Sequence, residues 1–98
     1  MVYDIKFTKS AVKDLQAIKQ YICENNDVAA KRVVSHIIRQ IENVLPQMPS
    51  IGRAGRVLRT RELIITKYPY IVPYQVRENT IFILRILHTS KKWNIEEL

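Results

Sequence analysis

The sequence is poor in cysteine and has no pair of residues from which a disulfide or a zinc site is usually built. Cys23 is the one cysteine among 98 residues. A single thiol cannot close an internal disulfide, and neither His36 nor His88 stands at a zinc-ligand spacing from it. The sequence therefore excludes a disulfide-stapled scaffold. It predicts a protein of a reducing compartment, the cytoplasm, that carries no metal and no other cofactor.

Long apolar runs and nucleotide-binding motifs are also missing. No stretch approaches the roughly 18 apolar residues of a membrane span, and the first residues lack the charged-then-apolar layout of a signal peptide. No Walker A loop, GxGxxG or GxSxG string occurs. We therefore expect a soluble intracellular protein without a membrane partner, and nucleotide hydrolysis by those routes is unsupported.

Acidic residues are few. Nine Asp and Glu stand against sixteen Lys and Arg, which gives a net charge of +7. Apolar residues make up 47% and charged residues 26% of the chain, an ordinary globular composition for one domain over residues 1–98. The basic excess favours an anionic partner, either nucleic acid or an acidic protein.

The first half of the chain has the pattern of a strand followed by two helices. Residues 2–7 alternate apolar and polar side chains, as in a half-buried strand. An amphipathic helix follows with Thr8 as its N-cap, and Asp27 is the predicted N-cap of a second one. Pro46 and Pro49 end that helix. Because the linker between the helices is short, we expect an antiparallel helical hairpin.

Three strand-like runs occupy the second half, at residues 61–66, 70–76 and 81–87, with a hairpin turn at 77–80. Pro73 cannot donate a ladder hydrogen bond, so the middle strand is predicted to bulge there or to present that position at an edge. The predicted fold is α+β in the order βααβββ, an antiparallel sheet with the helical hairpin packed on one face.

The segment 46–61, which we call the arginine loop, is the longest irregular stretch and contains no acidic residue. Its guanidiniums repel one another and favour an anionic partner, a phosphate backbone or an acidic chain. The alternative is a solvated basic loop that aids solubility. The loop carries Arg53, Arg56, Arg59 and Arg61.

Two other residues have the chemistry of an acid–base catalyst. Glu62 follows the arginine loop directly and is either a general base or an ion-pair partner. His88 ends the last strand, where either a structural or a catalytic role is open. If that strand is regular, His88 lies on the face of Phe82, and Arg85 lies on the other face with Ile81. The aromatic residues near basic ones either stack bases or pack in the core; they are Tyr68, Tyr70, Tyr74 and Trp93.

Several strings, in this order and spacing, resemble toxins of the RelE/ParE superfamily, the toxic half of bacterial type II toxin-antitoxin modules. The resemblance covers nearly the whole chain. It implies a βααβββ fold, growth arrest, plasmid stabilisation, and neutralisation by a cognate antitoxin in a toxin-antitoxin hetero-oligomer. The strings are residues 7–15, 52–57, 60–63, 68–70 with Tyr74, and 84–88.

The superfamily has two branches with different targets. RelE-like members are ribosome-dependent mRNA interferases, whereas ParE-like members inhibit DNA gyrase and cleave nothing. RelE-like enzymes resemble one another in an Arg-Leu-Val-Tyr string on the middle C-terminal strand, whose arginine contacts the scissile phosphate. Here Ile71 stands in place of that arginine. The sequence therefore favours the ParE-like branch, with a metal-independent endoribonuclease as the alternative.

The resemblance and the residues together give two sets of candidate site residues. The catalytic set, which applies to the RelE-like alternative, is Arg61, Glu62, Arg85 and His88. The set predicted to contact the target or the antitoxin is Arg53, Arg56, Arg59, Arg61, Tyr70, Lys91 and Lys92.

Overall fold

A computed structural model describes residues 3–90 of the chain and confirms the α+β class. The predicted strand, helical hairpin and three antiparallel strands are all present. Two further short strands occur, one inside the arginine loop and one after the last predicted strand has broken. The elements are β1 Asp4–Phe7, α1 Lys9–Cys23, α2 Asp27–Val44, β2 Arg53–Ala54, β3 Arg61–Ile65, β4 Tyr70–Arg77, β5 Thr80–Ile83 and β6 Leu87–His88.

Each helix begins at a side chain that accepts a hydrogen bond from a free backbone N–H. Thr8 caps α1 as predicted, and its Oγ1 accepts from the Ala11 N–H at 3.2 Å. The predicted cap of α2 was wrong by one residue, because Asn26 has the extended backbone of a cap and accepts from the Ala29 N–H. Asp27 is instead the first helical residue, where the helix dipole favours its negative charge.

The sheet is mixed rather than wholly antiparallel. Its strand order is β1-β5-β4-β3-β2, and β3, β4 and β5 pair antiparallel as predicted. The first strand pairs parallel to β5, with Ile5 opposite Ile81. Parallel pairing needs a long connection between strands, and the two helices are part of the chain that separates β1 from β5.

The helices cover one face of the sheet and form the core with it. Ile37, Ile41 and Leu45 of the second helix region are fully buried, as are Val72 and Ile83 of the sheet. Residues that lie opposite each other on neighbouring strands point to the same face of the sheet. The strand register therefore shows whether a residue lies on the helix-covered face, as Val72 and Ile83 do, or on the opposite face. None of the helices within residues 3–90 is both long and apolar enough to cross a bilayer.

Pro73 neither bulges its own strand nor lies at an edge, since β4 is central in the sheet. The register places Pro73 opposite Leu84, whose N–H donates to the Pro73 carbonyl at 2.9 Å. Proline has no N–H with which to return the bond. The Leu84 carbonyl instead accepts from Thr8 Oγ1 at 3.0 Å. The hydroxyl of Thr8, which also caps α1, thus supplies the hydrogen bond that Pro73 cannot donate.

Both predictions for Pro73 were therefore wrong, and the irregularity lies in the neighbouring strand instead. β5 ends at Ile83, which lies opposite Tyr74, and pairing resumes at β6 with His88 opposite Tyr70. A continuous register would place Leu87 there, so one extra residue is accommodated between β5 and β6, as in a β-bulge. A shift of one residue exchanges the two faces. The predicted face of His88 was therefore wrong, and His88 lies on the helix-covered face.

Replacing Thr8 with valine keeps the shape of the side chain but removes the hydroxyl that caps α1 and bonds the carbonyls of Ile83 and Leu84. We expect the free energy of unfolding to fall by about 1–3 kcal/mol. Urea unfolding followed by circular dichroism measures it. The control is Thr8→Ser, which keeps the hydroxyl. A loss as large in the serine variant would show that the methyl group, not the hydrogen bonds, stabilises this junction.

Candidate functional site: the arginine loop

The arginine loop is held to the sheet by a buried tyrosine hydroxyl. Tyr74 on β4 is fully buried, donates to the Pro49 carbonyl at 2.8 Å and accepts from the Gly52 N–H at 2.9 Å. A Cβ on residue 52 would come within 2.6 Å of this hydroxyl oxygen, so the close approach requires glycine. Burial raises the pKa of Tyr74, while the bond from Gly52 and the charge of Arg61 act in the opposite direction.

Glu62 anchors the loop from the opposite face of the sheet. Its side chain is 2% exposed. Its Oε1 accepts from Arg53 Nε at 3.1 Å and lies 3.0 Å from the terminal nitrogen of the same guanidinium. Its Oε2 accepts from the backbone N–H of Arg56 at 3.3 Å. Of the two roles considered for Glu62, this geometry is that of the ion pair.

The four arginines of the loop differ in what they contact. Arg53 pairs with Glu62, and Arg61 donates to the carbonyls of Ser50 and Gly52 at 3.1 and 2.8 Å. Both therefore bind the loop to itself and to the sheet. Arg59 makes no side-chain hydrogen bond or ion pair within residues 3–90 and is exposed. The charge that the loop presents to a partner is thus smaller than the sequence count indicates.

A shallow cleft of about 280 Å³ opens beside the outer end of the loop. Two arginines, one tyrosine and two small aliphatic residues are among the residues that line it. Such a surface can receive a carboxylate together with a small apolar group. The cleft is lined by Ala54, Arg59, Thr60, Arg61, Tyr74 and Val76.

Arg85 of the predicted catalytic set forms an ion pair with the first helix. Its Nε and a terminal nitrogen lie 2.7 and 3.1 Å from the two carboxylate oxygens of Asp14. Oδ2 of that carboxylate also accepts from the Ile86 N–H at 2.9 Å. The helical periodicity of α1 places Asp14 on the polar face of the helix. No local pattern distinguishes it from the other acids, because its partner lies 71 residues away.

His88 of the same set is far from Glu62. His88 lies opposite Tyr70 on the helix-covered face, whereas Glu62 lies opposite Pro73 on the other face. Three residues along a strand and two strand spacings separate their Cα atoms by about 14 Å. The His88 ring contacts the edge of Tyr70 and bonds to Ser90 through Nδ1. The four predicted catalytic residues are therefore not brought together at one place.

Tyr68, Tyr70 and Tyr74, the described members of the predicted base-stacking set, pack against the core. Tyr70 is 8% exposed, and Tyr68 makes an edge contact with His36 at 5.3 Å. The role of Tyr70 in binding a partner stays a prediction. Lys91, Lys92 and Trp93 lie outside the described residues.

The single thiol is not activated. Cys23 is exposed and donates to Asp27 at 3.2 Å, a bond that raises the pKa of the thiol. A raised pKa lowers the thiolate fraction at neutral pH, and the thiolate is the reactive form.

Comparison of the sequence with known proteins identifies the family to which the chain belongs. A family described as "ParE toxin of type II toxin-antitoxin system, parDE" matches residues 5–93. The chain is 36% identical over 89 residues to a protein of Sinorhizobium fredii named toxin Y4kP, covering 91% of each chain. It is 30% identical to Toxin RelE2 of Caulobacter vibrioides over 87 residues, covering 89% of this chain and 96% of that one.

Solved structures of toxin-antitoxin systems have the same fold. A chain of the chromosomal ParDE system from P. aeruginosa superposes with a TM-score of 0.82 at 29% identity, covering 91% of this chain and 98% of that one. A chain of the RelBE2 complex from Mycobacterium tuberculosis shares the fold with a TM-score of 0.70 at 20% identity, over 90% and 99% of the two chains. The fold and these relatives define a toxin of the ParE/RelE superfamily. Within it, this chain belongs to the ParE toxin family of type II toxin-antitoxin systems.

Replacing Tyr74 with phenylalanine leaves the Pro49 carbonyl and the Gly52 N–H without their buried partner. We expect the free energy of unfolding to fall by about 1–3 kcal/mol at neutral pH. Urea unfolding gives this value, and Tyr21→Phe is the matched control because Tyr21 is 73% exposed.

The same pair of variants tests the effect of pH. Burial keeps the pKa of Tyr74 raised in the folded protein. Unfolded tyrosine ionises near pH 10, so unfolding releases a proton above that pH and stability falls as the pH rises further. Tyr74→Phe should flatten this alkaline decline, and an unchanged slope would contradict it.

Proposed function

We propose that this ParE-family toxin inhibits DNA gyrase without cleaving RNA and is neutralised by a cognate antitoxin. The observation that carries the proposal is the placement of Glu62 and His88 on opposite faces of the sheet, because acid–base catalysis requires both groups within reach of one substrate. Gyrase and the alternative target, the ribosome with mRNA, are both cytoplasmic, and we propose that compartment for the toxin.

The cations that an interferase would need also have other partners. Arg85 is held by both oxygens of Asp14, and the side chains of the pair are 18% and 17% exposed. Arg61 is bonded to two backbone carbonyls of the arginine loop. Ile71, at the strand position where RelE-like enzymes carry a phosphate-binding arginine, is 3% exposed. Losing one preorganised charge of that kind reduces the rate by about 10²–10³.

Charge supports the proposed antitoxin partner. The chain carries +7, and its arginine loop contains no acidic residue. Two structural relatives come from toxin-antitoxin systems, ParDE and RelBE2. We infer an acidic, partly disordered segment of the antitoxin that lies across the helical hairpin and the arginine loop and orders as it binds.

The target is tested by adding purified toxin to gyrase with plasmid and, in parallel, to programmed ribosomes with mRNA in the A site. We expect trapped, cleaved plasmid and intact mRNA, with relief when the antitoxin is added. His88→Ala and Glu62→Gln should both retain this inhibition, because neither side chain takes part in chemistry. Glutamine keeps one acceptor oxygen, which serves either Arg53 or the Arg56 N–H, and presents an NH2 group to the other donor. The unfolding free energy of this variant is therefore measured beside its inhibition of gyrase.

The opposite result would overturn the gyrase proposal. Cut mRNA with unaffected supercoiling supports the RelE-like alternative. Arg61, Glu62, Arg85 and His88 would then be tested as a catalytic set, each substitution being expected to remove most of the activity.

The antitoxin contact is tested by its salt dependence. We expect the affinity to fall between about 0.05 and 0.5 M NaCl, as for exposed charge pairs.

Arg56→Ala, which keeps the backbone bond to Glu62, should weaken antitoxin or target binding by about tenfold. Arg53→Ala should weaken it too, with a loss of stability because Glu62 loses its buried partner. Lys6→Ala is the control at an exposed cation on β1. Unchanged binding of both partners by Arg53→Ala/Arg56→Ala would exclude the loop as an anion-binding surface.

A further inference from the structure

The outer end of the arginine loop is a four-residue turn, Val57–Thr60. The N–H of Thr60 donates to the Val57 carbonyl at 3.2 Å, the bond that closes a β-turn. Leu58 and Arg59 are its two central residues. Both project from the loop at positions that the sequence alone does not distinguish from the rest of the segment.

Arg59 has a backbone conformation that arginine disfavours. Its φ is 66°, in the left-handed region, at the third position of the turn. Turns of this kind usually place glycine or asparagine there, because a Cβ is strained at positive φ. The exposed Arg59 side chain makes no hydrogen bond or ion pair with residues 3–90 that would compensate for the strain.

Leu58 is exposed to a degree that is unusual for its type. It is 83% exposed, more than any other large apolar side chain that the structure describes. A single exposed leucine needs no explanation by itself. Here it adjoins a strained residue, so two adjacent unfavourable features lack compensation within the described chain. Such strain persists where the surrounding structure imposes it, and it is concentrated at functional positions.

The surrounding structure does impose the conformation of this turn. The N–H of Gly55 donates to the Thr60 carbonyl at 2.8 Å, and Thr60 Oγ1 donates to the Val57 carbonyl at 2.6 Å. Glu62 holds the Arg56 N–H from below. A partner therefore meets a turn that is already ordered, which reduces the entropy lost on binding.

We propose that the Val57–Thr60 turn docks the toxin onto a folded protein target, with Leu58 in an apolar pocket and Arg59 paired with a carboxylate at its rim. A protruding side chain needs a concave partner that is formed before binding. A disordered antitoxin segment offers no such pocket, whereas a folded subunit does. Arg59 in the turn and Arg56 just before it are both cations, so an acidic rim on the partner would be complementary to them. This inference rests on the proposed function, since it assigns the turn to gyrase.

Two variants of the toxin, made in the chain of residues 1–98, test the proposal. Leu58→Ser removes the apolar group. Arg59→Gly removes the guanidinium and also the Cβ that is strained at the positive φ. We expect each to weaken gyrase inhibition by about tenfold or more and to change antitoxin affinity less than about threefold. Arg59→Gly should also unfold at the same or a higher temperature than the parent. Loss of inhibition with retained stability distinguishes a binding residue from a structural one.

Ile64→Thr is the control, because Ile64 is 48% exposed on β3 outside the loop and threonine keeps the β-branched shape. It should inhibit gyrase like the parent toxin. A parent toxin that inhibits gyrase, together with Leu58→Ser or Arg59→Gly toxins that inhibit it equally well, would overturn the docking role and leave the proposed function standing. A parent toxin that does not inhibit gyrase would overturn both.

Two further outcomes would assign the turn to a different partner. A loss of antitoxin binding in Leu58→Ser with unchanged gyrase inhibition would place the turn in the antitoxin interface and not in the gyrase interface. Leu58-dependent binding to plasmid in the absence of gyrase would indicate a side chain that inserts between base pairs. Either result contradicts docking onto a folded protein.

Discussion

The missing N–H of Pro73 is the constraint from which much of this structure follows. In the centre of a sheet, every residue that faces a neighbouring strand normally donates and accepts. Pro73 accepts from Leu84 but cannot donate, so the Leu84 carbonyl needs another donor. Thr8 supplies it, and this bond ties the start of α1 to the end of β5. Pro73 removes one hydrogen bond from the sheet, and the carbonyl that it leaves free is used to connect the helical layer to the sheet.

The same break determines where two candidate catalytic residues lie. Beyond Ile83 the chain leaves the ladder for three residues, which turns Arg85 toward α1 and lets Asp14 bind both its side chain and the Ile86 N–H. Pairing resumes one residue out of register, so His88 lies on the helix-covered face. The resemblance to RelE-like enzymes draws attention to these residues. Their tertiary partners favour structural roles and support a toxin that acts by binding.

The arginine loop shows how a basic segment is divided between structure and recognition. The Glu62 carboxylate, a buried acceptor, and the Tyr74 hydroxyl, which both donates and accepts, fix the base of the loop to the sheet. Arg53 and Arg61 are used in that anchoring, and the outer turn is left to present Leu58 and Arg59. Rigidity at the base permits strain at the tip. A partner that binds the tip gains from this order, because the turn loses little further freedom.

Much of the fold could be predicted from the sequence because it depends on local periodicity. Alternating side chains predict β1, and helical stripes predict α1 and α2. An N-cap residue indicates where α1 begins, and Pro46 indicates where α2 ends. The arginine loop and the family were likewise evident from charge and short strings. These features depend on neighbours within a few residues, so the order of the chain is enough to specify them.

What the tertiary structure alone decided is which distant groups meet. The partner of Asp14 is 71 residues away, and the two carbonyls that Thr8 binds are 75 and 76 residues away. The bulge after Ile83, the face of His88 and the parallel pairing of β1 follow from how the layers close on one another. Strand periodicity predicts alternation but not the place where a neighbour departs from it, because that place is determined by a missing donor on another strand.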